Sequence, residues 1–481
     1  MNTSRRLLAA LTLGTLSLVA LVGCGSDETL SPGDECDPHY YYCPAGYVCA
    51  ELVSGGYRCS GELVMSGAIT NTSDGSGVKD AQVIALNEEG LAVGNVAYTD
   101  ESGKYELIAT AKRNDDGSPA GAYTLRAAAQ DYQAFPSGMR AALPIDLGGA
   151  SSSVDGRYRL DSELTHIGLI SLGVGERSSM SGTFTDDGGT FTGEKAGVLV
   201  VASGDNGAFT AVSDKAGIFT IFNLPAGEYE FRAHAVDMQN KGFNIAVPAG
   251  PVSGLSLSQE STNVVGALGT VTGSVELVNV PAGALTSVIL VVADTFDPVT
   301  AWGEAPRGLR SPRTGSPDLN GNFSISGVPA GRYVVLPAYE KDHLVRDPAT
   351  DFVTIDVEAG FNGHVDIAES FKVTAALSTQ SPGAEGPEAV SAKPELVWGG
   401  DASADYYDLR VFDAFGAEVW NSLMLPADSG AATASVQYAG PLERGMYYQF
   451  RVSSWRAQPG KDPVPIAATE DQRGVFYLSA P

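Results

Sequence analysis

Apolar and polar residues alternate with a period of two along much of the chain. In EYEFRAHA, residues 228–235, Tyr229, Phe231 and Ala233 fall on one side, and Glu228, Glu230 and Arg232 on the other. A period of two with one polar side predicts a half-buried antiparallel strand. A second kind of run is apolar throughout: VIAL at 83–86, VLVVA at 198–202 and VILVVA at 288–293. Such short runs predict strands at the centre of a sheet.

These strands recur in a fixed order. A Gly-led strand comes first: MSGAI (65–69), MSGTF (180–184) and VTGSV (271–275). The apolar run follows. Next comes an Asp–Gly turn entering an alternating strand: DESGKYEL (100–107), DKAGIFTI (214–221) and DLNGNFSI (318–325). Last is Pro-Ala-Gly-x-Tyr with its strand, at 119–123, 225–229 and 329–333. The tripeptide alone is weak evidence, because it occurs six times; four landmarks in one order, three times over, mark an internal repeat. Pro pre-sets φ and Gly tolerates positive φ, so the chain reverses at this string, and the strands on either side read as a hairpin. Gly103 and Gly121 are 18 residues apart, whereas Gly217–Gly227 and Gly321–Gly331 are each 10 apart. The first copy therefore carries an insertion near RNDDGSPA, at a loop tip. Each unit supplies the strands of a two-layer sandwich, and the fold class expected is all-β, with tandem antiparallel β-sandwiches.

Length and composition agree. At 481 residues the chain has room for several domains, and 57 Gly with 26 Pro suit short strands joined by tight turns. The net charge of −27 repels phosphate backbones and argues against a nucleic-acid partner. The acidic residues are scattered and read as a solvated surface.

The N-terminus changes the picture. Arg5 and Arg6 precede an apolar stretch from Leu7 to Val22, the arrangement of a secretory signal. Leu21-Val22-Gly23-Cys24 resembles the bacterial lipobox, in which the Cys is lipidated and becomes the first mature residue. The resemblance implies a signal peptide over 1–23, a membrane anchor at Cys24 and a place in the cell envelope. Ser26, rather than an Asp, at the second position after it implies the outer membrane. Cys36, Cys43, Cys49 and Cys59 follow in a Cys-rich segment over 24–60. In an exported chain they read as two disulfides, with three pairings open. Their gaps do not suit the short C-x₂₋₄-C knuckles of zinc sites. CPAGYVC with GGYRC is similar to small cysteine-rich modules of secreted proteins; Tyr40, Tyr41 and Tyr42 beside it could cover a core too small to bury itself.

The repeated strings G-x-V, T-D-x-x-G-x-F-x-I and L-P-A-G-x-Y resemble the carboxypeptidase regulatory-like domain. That family implies a transthyretin-like, or carbohydrate-binding-like, sandwich, and it usually lacks a catalytic residue. We place its copies at 61–172, 173–262 and 263–375. A Pro/Gly/Ser-rich linker is expected over 376–393. Beyond it, over 394–481, LERGMYYQFRV (442–452) is similar to fibronectin type III domains, which implies a core Trp398 and a corner Tyr448 whose hydroxyl bonds back to the chain.

Chemistry is sparse. The five histidines, His39, His166, His234, His343 and His364, form no H-E-x-x-H, and neither a G-x-S-x-G elbow nor a P-loop is present. No catalytic residue, metal site or cofactor is expected. Asp318, Asn320 and Asn322 lack the distant Glu of a calcium loop, and DDGG at 186–189 is no better. One stretch, 296–315, interrupts the third repeat and is rich in Pro and Gly. Its Trp302, Arg307, Arg310 and Arg313 are candidates for binding a sugar or an acidic group, with packing of Trp302 onto its own domain as the alternative. The expected function is a non-catalytic, membrane-anchored lipoprotein that presents its modules for binding, adhesion or envelope structure. The alternatives are a carbohydrate-binding lipoprotein and, more remotely, an enzyme accessory subunit. A carbohydrate or protein ligand is the partner expected besides the membrane; the oligomeric state is not legible.

Overall fold

The computed structural model describes residues 30–39, 42–173, 175–186, 194–239, 242–250, 252–259, 268–281, 283–314, 321–358, 363–367 and 371–479. Cys24 and the signal segment, Tyr40, Tyr41, Asp318 and Asn320 lie outside these residues. Among the described residues the chain is all-β, and no helix is long and apolar enough to cross a membrane.

The three repeats share one strand plan. A lead strand (Leu63–Asn71, Arg177–Asp186 and Gly269–Val278 in turn) pairs antiparallel with the strand after the Asp–Gly turn (Lys104–Ala109, Ile218–Pro225 and Gly321–Val328). The lead strand also pairs in parallel with strands near the end of each unit, at Ile167–Ser171, Val252–Gln259 and Phe371–Ala375. In the opposite sheet the apolar strand (Gln82–Leu86, Leu199–Gly204 and Val288–Val292) pairs antiparallel with the strand after Pro-Ala-Gly (Ala122–Ala128, Gly227–His234 and Gly331–Pro337). The lead-strand glycine is opposite an aromatic in every copy: Gly67 with Tyr105, Gly182 with Phe219, and Gly273 with Phe323. A Cβ on Gly182 or Gly273 would come within 3 Å of the facing ring, so the glycine leaves the ring room to lie across the strand.

The Pro-Ala-Gly string is not a hairpin. In all three copies the strands flanking it sit in different sheets, so the string is a corner that carries the chain from one layer to the other. In the second copy only Ala226 separates the two strands. The corner tyrosine fastens it: Tyr229 Oη donates to the Pro225 carbonyl and Tyr333 Oη to that of Pro329, each at 3.0 Å. The left-handed residue is also not the glycine of the string in these two copies. It stands two residues before the proline, as Asn223 (φ 64°) and Gly327 (φ 70°). A period of two cannot say which sheet a strand joins, and this is why the sequence reads as a hairpin.

The apolar strand is central in the first two repeats. In the third it lies at the edge of a three-stranded sheet. The expected loop covers that edge: Thr286 and Thr314 exchange backbone hydrogen bonds, Leu290 N–H donates to Leu309 O, and Ser311 N–H donates to Val288 O. The edge is thereby closed against pairing with another chain.

The segment 376–393, expected as a linker, contributes two strands instead. Thr379–Ser381 pairs with Glu395–Gly399, and Glu388–Val390 pairs with Val475–Leu478. The last unit is thus a sandwich of a three-stranded sheet against a larger one. Its core holds Trp398 and Tyr448, which are almost wholly buried, and Tyr448 Oη accepts a bond from Glu443 N–H at 3.0 Å.

The units are not separate beads. The second repeat's apolar strand is buried on both faces: Val198, Val200 and Ala202 belong to its own core, while Leu199 and Val201 join the core of the third repeat. Asn223 ties the second repeat to the first, donating to the carbonyls of Ala129 (3.0 Å) and Tyr132 (2.8 Å) and accepting from Asp131 N–H (2.6 Å). Arg126 and Glu304 pair at 2.9 Å between the first and third repeats. Glu470 accepts from His343 N–H at 2.6 Å between the third repeat and the last sandwich. The last sandwich then returns to the first: Thr72 Oγ1 donates to Gly445 O (2.7 Å), Gln133 Nε2 donates to Ala414 O (2.6 Å), and Met139 packs with Phe412 and Val475. The four sandwiches therefore close on one another.

Candidate functional site

The Cys-rich segment is a small hairpin, Tyr47–Glu51 against Tyr57–Gly61, held by Cys36–Cys49 and Cys43–Cys59. All four sulfurs are used, which removes the thiolates a zinc site needs. Closing loops of this length contributes about 3 kcal/mol each in the chain-entropy account. The insertion in the first repeat has a purpose here. Lys112–Arg113 and Pro119–Ala120 pair as a short hairpin that grips the Cys-rich segment. Arg113 is fully buried and donates to Gly61 O at 2.6 Å; its own carbonyl accepts from Val53 N–H, and Asp115 O accepts from Arg58. Tyr42 remains largely exposed.

The described part of stretch 296–315, residues 296–314, is laid on the third repeat. Trp302 is half-buried in a turn where its N–H and carbonyl both bond Asp297, and Gly303 N–H donates to Tyr339 Oη at 2.9 Å. Burial raises the Tyr339 hydroxyl well above its usual pKa. The arginines take protein partners. Arg307 donates to the Glu194 carbonyl of the second repeat at 2.9 Å. Arg310 and Arg313 both reach Glu340, which is nearly buried. About half of each of those two side chains stays exposed. Burial is the main cause of a lowered Arg310 pKa, and neighbouring Arg313 adds to it.

Two groupings were not legible from spacing. The first is Glu304, which meets Arg126 and whose side chain is 9 % exposed. The second is a groove of about 360 Å³ between the second and third repeats, lined by Glu230, Arg232, Asp294, Arg332 and Asp356. Within it Arg232 pairs with Glu230 at 2.6 Å, and Ser203 Oγ donates to Asp294 at 2.7 Å. Arg232 and Arg332 stand on the polar side of the two corner strands, which is the only signal the sequence carried.

The Asp–Gly turns bond their own backbone through one carboxylate oxygen, and Asp214 Oδ2 also accepts from Val96 N–H of the first repeat at 3.1 Å. Asp100 Oδ1 accepts from the backbone N–H groups of Ser102 and Lys104, and Asp214 Oδ1 accepts from those of Ala216 and Ile218. The Ser102 hydroxyl bond, followed by the Lys104 N–H, lowers the Asp100 pKa. The equivalent Asp318 lies outside the described residues.

Four of the five histidines meet other side chains, and His39 is exposed. His166 Nε2 meets Asp161 at 2.9 Å, His343 Nδ1 is 3.9 Å from Glu470, and His234 is buried against Tyr333. His364 Nε2 is 3.5 Å from Thr272 Oγ1, but that hydroxyl donates to Asp366. A relay needs the acid on the histidine, not on the nucleophile.

No family model matches the chain, and no curated protein matches it. Among solved structures, the Bacillus anthracis TIE protein aligns over 94 % of this chain and 72 % of its own, at 10 % identity and a TM-score of 0.16. A streptococcal ancillary pilin aligns over 65 % and 99 % (14 %, TM-score 0.17), and BcpA, the major pilin subunit of Bacillus cereus, over 66 % and 100 % (11 %, TM-score 0.15). Superpositions at these scores carry no weight for function.

Proposed function

We propose that the chain is a non-catalytic lipoprotein of the cell envelope, tethered through Cys24, whose packed sandwiches offer a binding or adhesive surface. The three repeats are read as carboxypeptidase regulatory-like modules, and the last sandwich as fibronectin type III-like. The observation that carries the reading is the coupling of the Cys-rich segment to the body. Two disulfides begin twelve residues after Cys24, and the Arg113 hairpin clamps that segment to the first sandwich. A tether entering there would hold the whole body at a fixed stance, as a presented surface requires. Disulfides also agree with export to an oxidising compartment. The test is metabolic labelling with a palmitate analogue in a bacterial host. Wild type should be labelled and fractionate with the outer membrane, and Cys24→Ser should lose both properties. An unlabelled wild type overturns the anchor.

A second reading, glycan binding at 296–315, rests on half-buried Trp302 and the half-exposed Arg310 and Arg313 in one segment. A glycan array with wild type and Trp302→Ala tests it; no signal from wild type ends this reading.

A further inference from the structure

A cavity of about 380 Å³ lies where the last sandwich meets the first. Phe135, Leu164 and Ile167 line it from the first sandwich, and Tyr447 and Tyr477 from the last. Arg140 forms part of its wall and is only 4 % exposed. The Arg140 guanidinium sits over two rings, 5.1 Å from the centre of Phe135 and 4.5 Å from that of Tyr447. One amino group donates to Gly168 O, and Nη1 is buried without a hydrogen-bond partner.

Three other buried cations have acids. Arg126 has Glu304, Arg451 has Asp471, and Arg473 has Glu470. Among the described residues Arg140 has no such ion pair. Two π faces offset roughly 1–2 kcal/mol each when desolvated, whereas a buried charge without a counter-ion costs several kcal/mol. Burial accordingly lowers the Arg140 pKa, with Tyr447 opposing. Arg113 also lacks an acid, but it is enclosed beneath the Cys-rich segment and lines neither this cavity nor the groove at Arg232.

We propose that this cavity binds a small organic carboxylate carrying a flat ring, with the carboxylate toward Arg140 and the ring against Tyr447 and Tyr477. A carboxylate would supply the missing counter-charge, and the apolar walls suit a ring better than a free inorganic anion. Glu163 also lines the cavity, exposed, and His166 lines it while tied to Asp161; a second negative charge on the ligand would meet Glu163. This inference does not depend on the lipid anchor.

Titration calorimetry on the full chain in detergent tests it, with benzoate, benzamide and inorganic phosphate as probes. Benzoate should bind one to one, and benzamide and phosphate at least about tenfold more weakly, since each lacks either the charge or the ring. Arg140→Met should weaken benzoate by about tenfold or more. Leu164→Trp should do the same by filling the cavity; Leu164 is 41 % exposed, so the unfolding midpoint should not move. Should Arg140→Met fail to fold, Leu164→Trp decides. Benzamide or phosphate binding as well as benzoate, unchanged affinity in Leu164→Trp, or no benzoate binding up to about 10 mM would overturn the proposal.

Discussion

The hydroxyl of Tyr333 lies 3.3 Å from Nδ1 of His234, 99 residues earlier in the chain. Tyr333 spends its one proton on the Pro329 carbonyl, so neutral His234 must carry its own proton on Nδ1 and donate to the tyrosine. The corner of the third repeat is thus locked to a strand of the second, inside a packed junction.

That junction makes stability depend on pH. Burial, and then Arg232, push His234 down to about 4 from an ordinary value near 6.5. The unfolded chain therefore binds more protons between these values, and stability rises with pH across that window. It is fully present above pH 6.5 and is lost as pH falls toward 4, a change of about 3 kcal/mol for this group. Urea unfolding of wild type and His234→Gln at pH 7 and pH 4.5 isolates the contribution. The gap between the two proteins should shrink or reverse at the lower pH, and a constant gap would contradict the assignment.

Asn223 serves the corner and the junction together. Its φ of 64° suits Asn or Gly, and its amide makes three bonds to the first repeat. Asn223→Gly keeps the backbone conformation and loses the bonds, with an expected cost of about 2 kcal/mol. Asn223→Ala adds strain and should cost about 1 kcal/mol more. Denaturant midpoints of the two variants measure both; equal midpoints would mean that the left-handed backbone carries no cost.

The Arg126–Glu304 pair is nearly buried between the first and third repeats, with side chains 18 % and 9 % exposed. Glu304→Gln should destabilise by about 2–4 kcal/mol, because the guanidinium stays behind without its acid. The double variant Arg126→Met with Glu304→Met should recover most of that loss. A double variant no more stable than the single would show that the pair itself, not the orphaned charge, decides.

What the sequence disclosed was local. Gly182 and Phe219, or Gly273 and Phe323, recur in the same order because the packing of ring on glycine is the same in each copy, and a repeat of chemistry shows in the letters. The alternation of Tyr229, Phe231 and Ala233 likewise records one buried face. Which sheet a strand joins does not, so the Pro-Ala-Gly corner resembled a hairpin. Leu199 and Val201 looked like core residues without revealing that their core belongs to another repeat. The polar tract around Thr379 and Glu388 looked like a linker because edge strands with one wet face need few large apolar residues. Arg140 stood in an ordinary loop, and its cavity exists only once Tyr447, more than 300 residues on, is folded against it.

The central claim is that the four sandwiches form one closed body, and small-angle X-ray scattering of the Cys24→Ser chain tests it most directly. A single compact body of this size should give a radius of gyration of about 22–25 Å. Four such modules strung end to end would give roughly 45 Å, and a value near that would contradict the account.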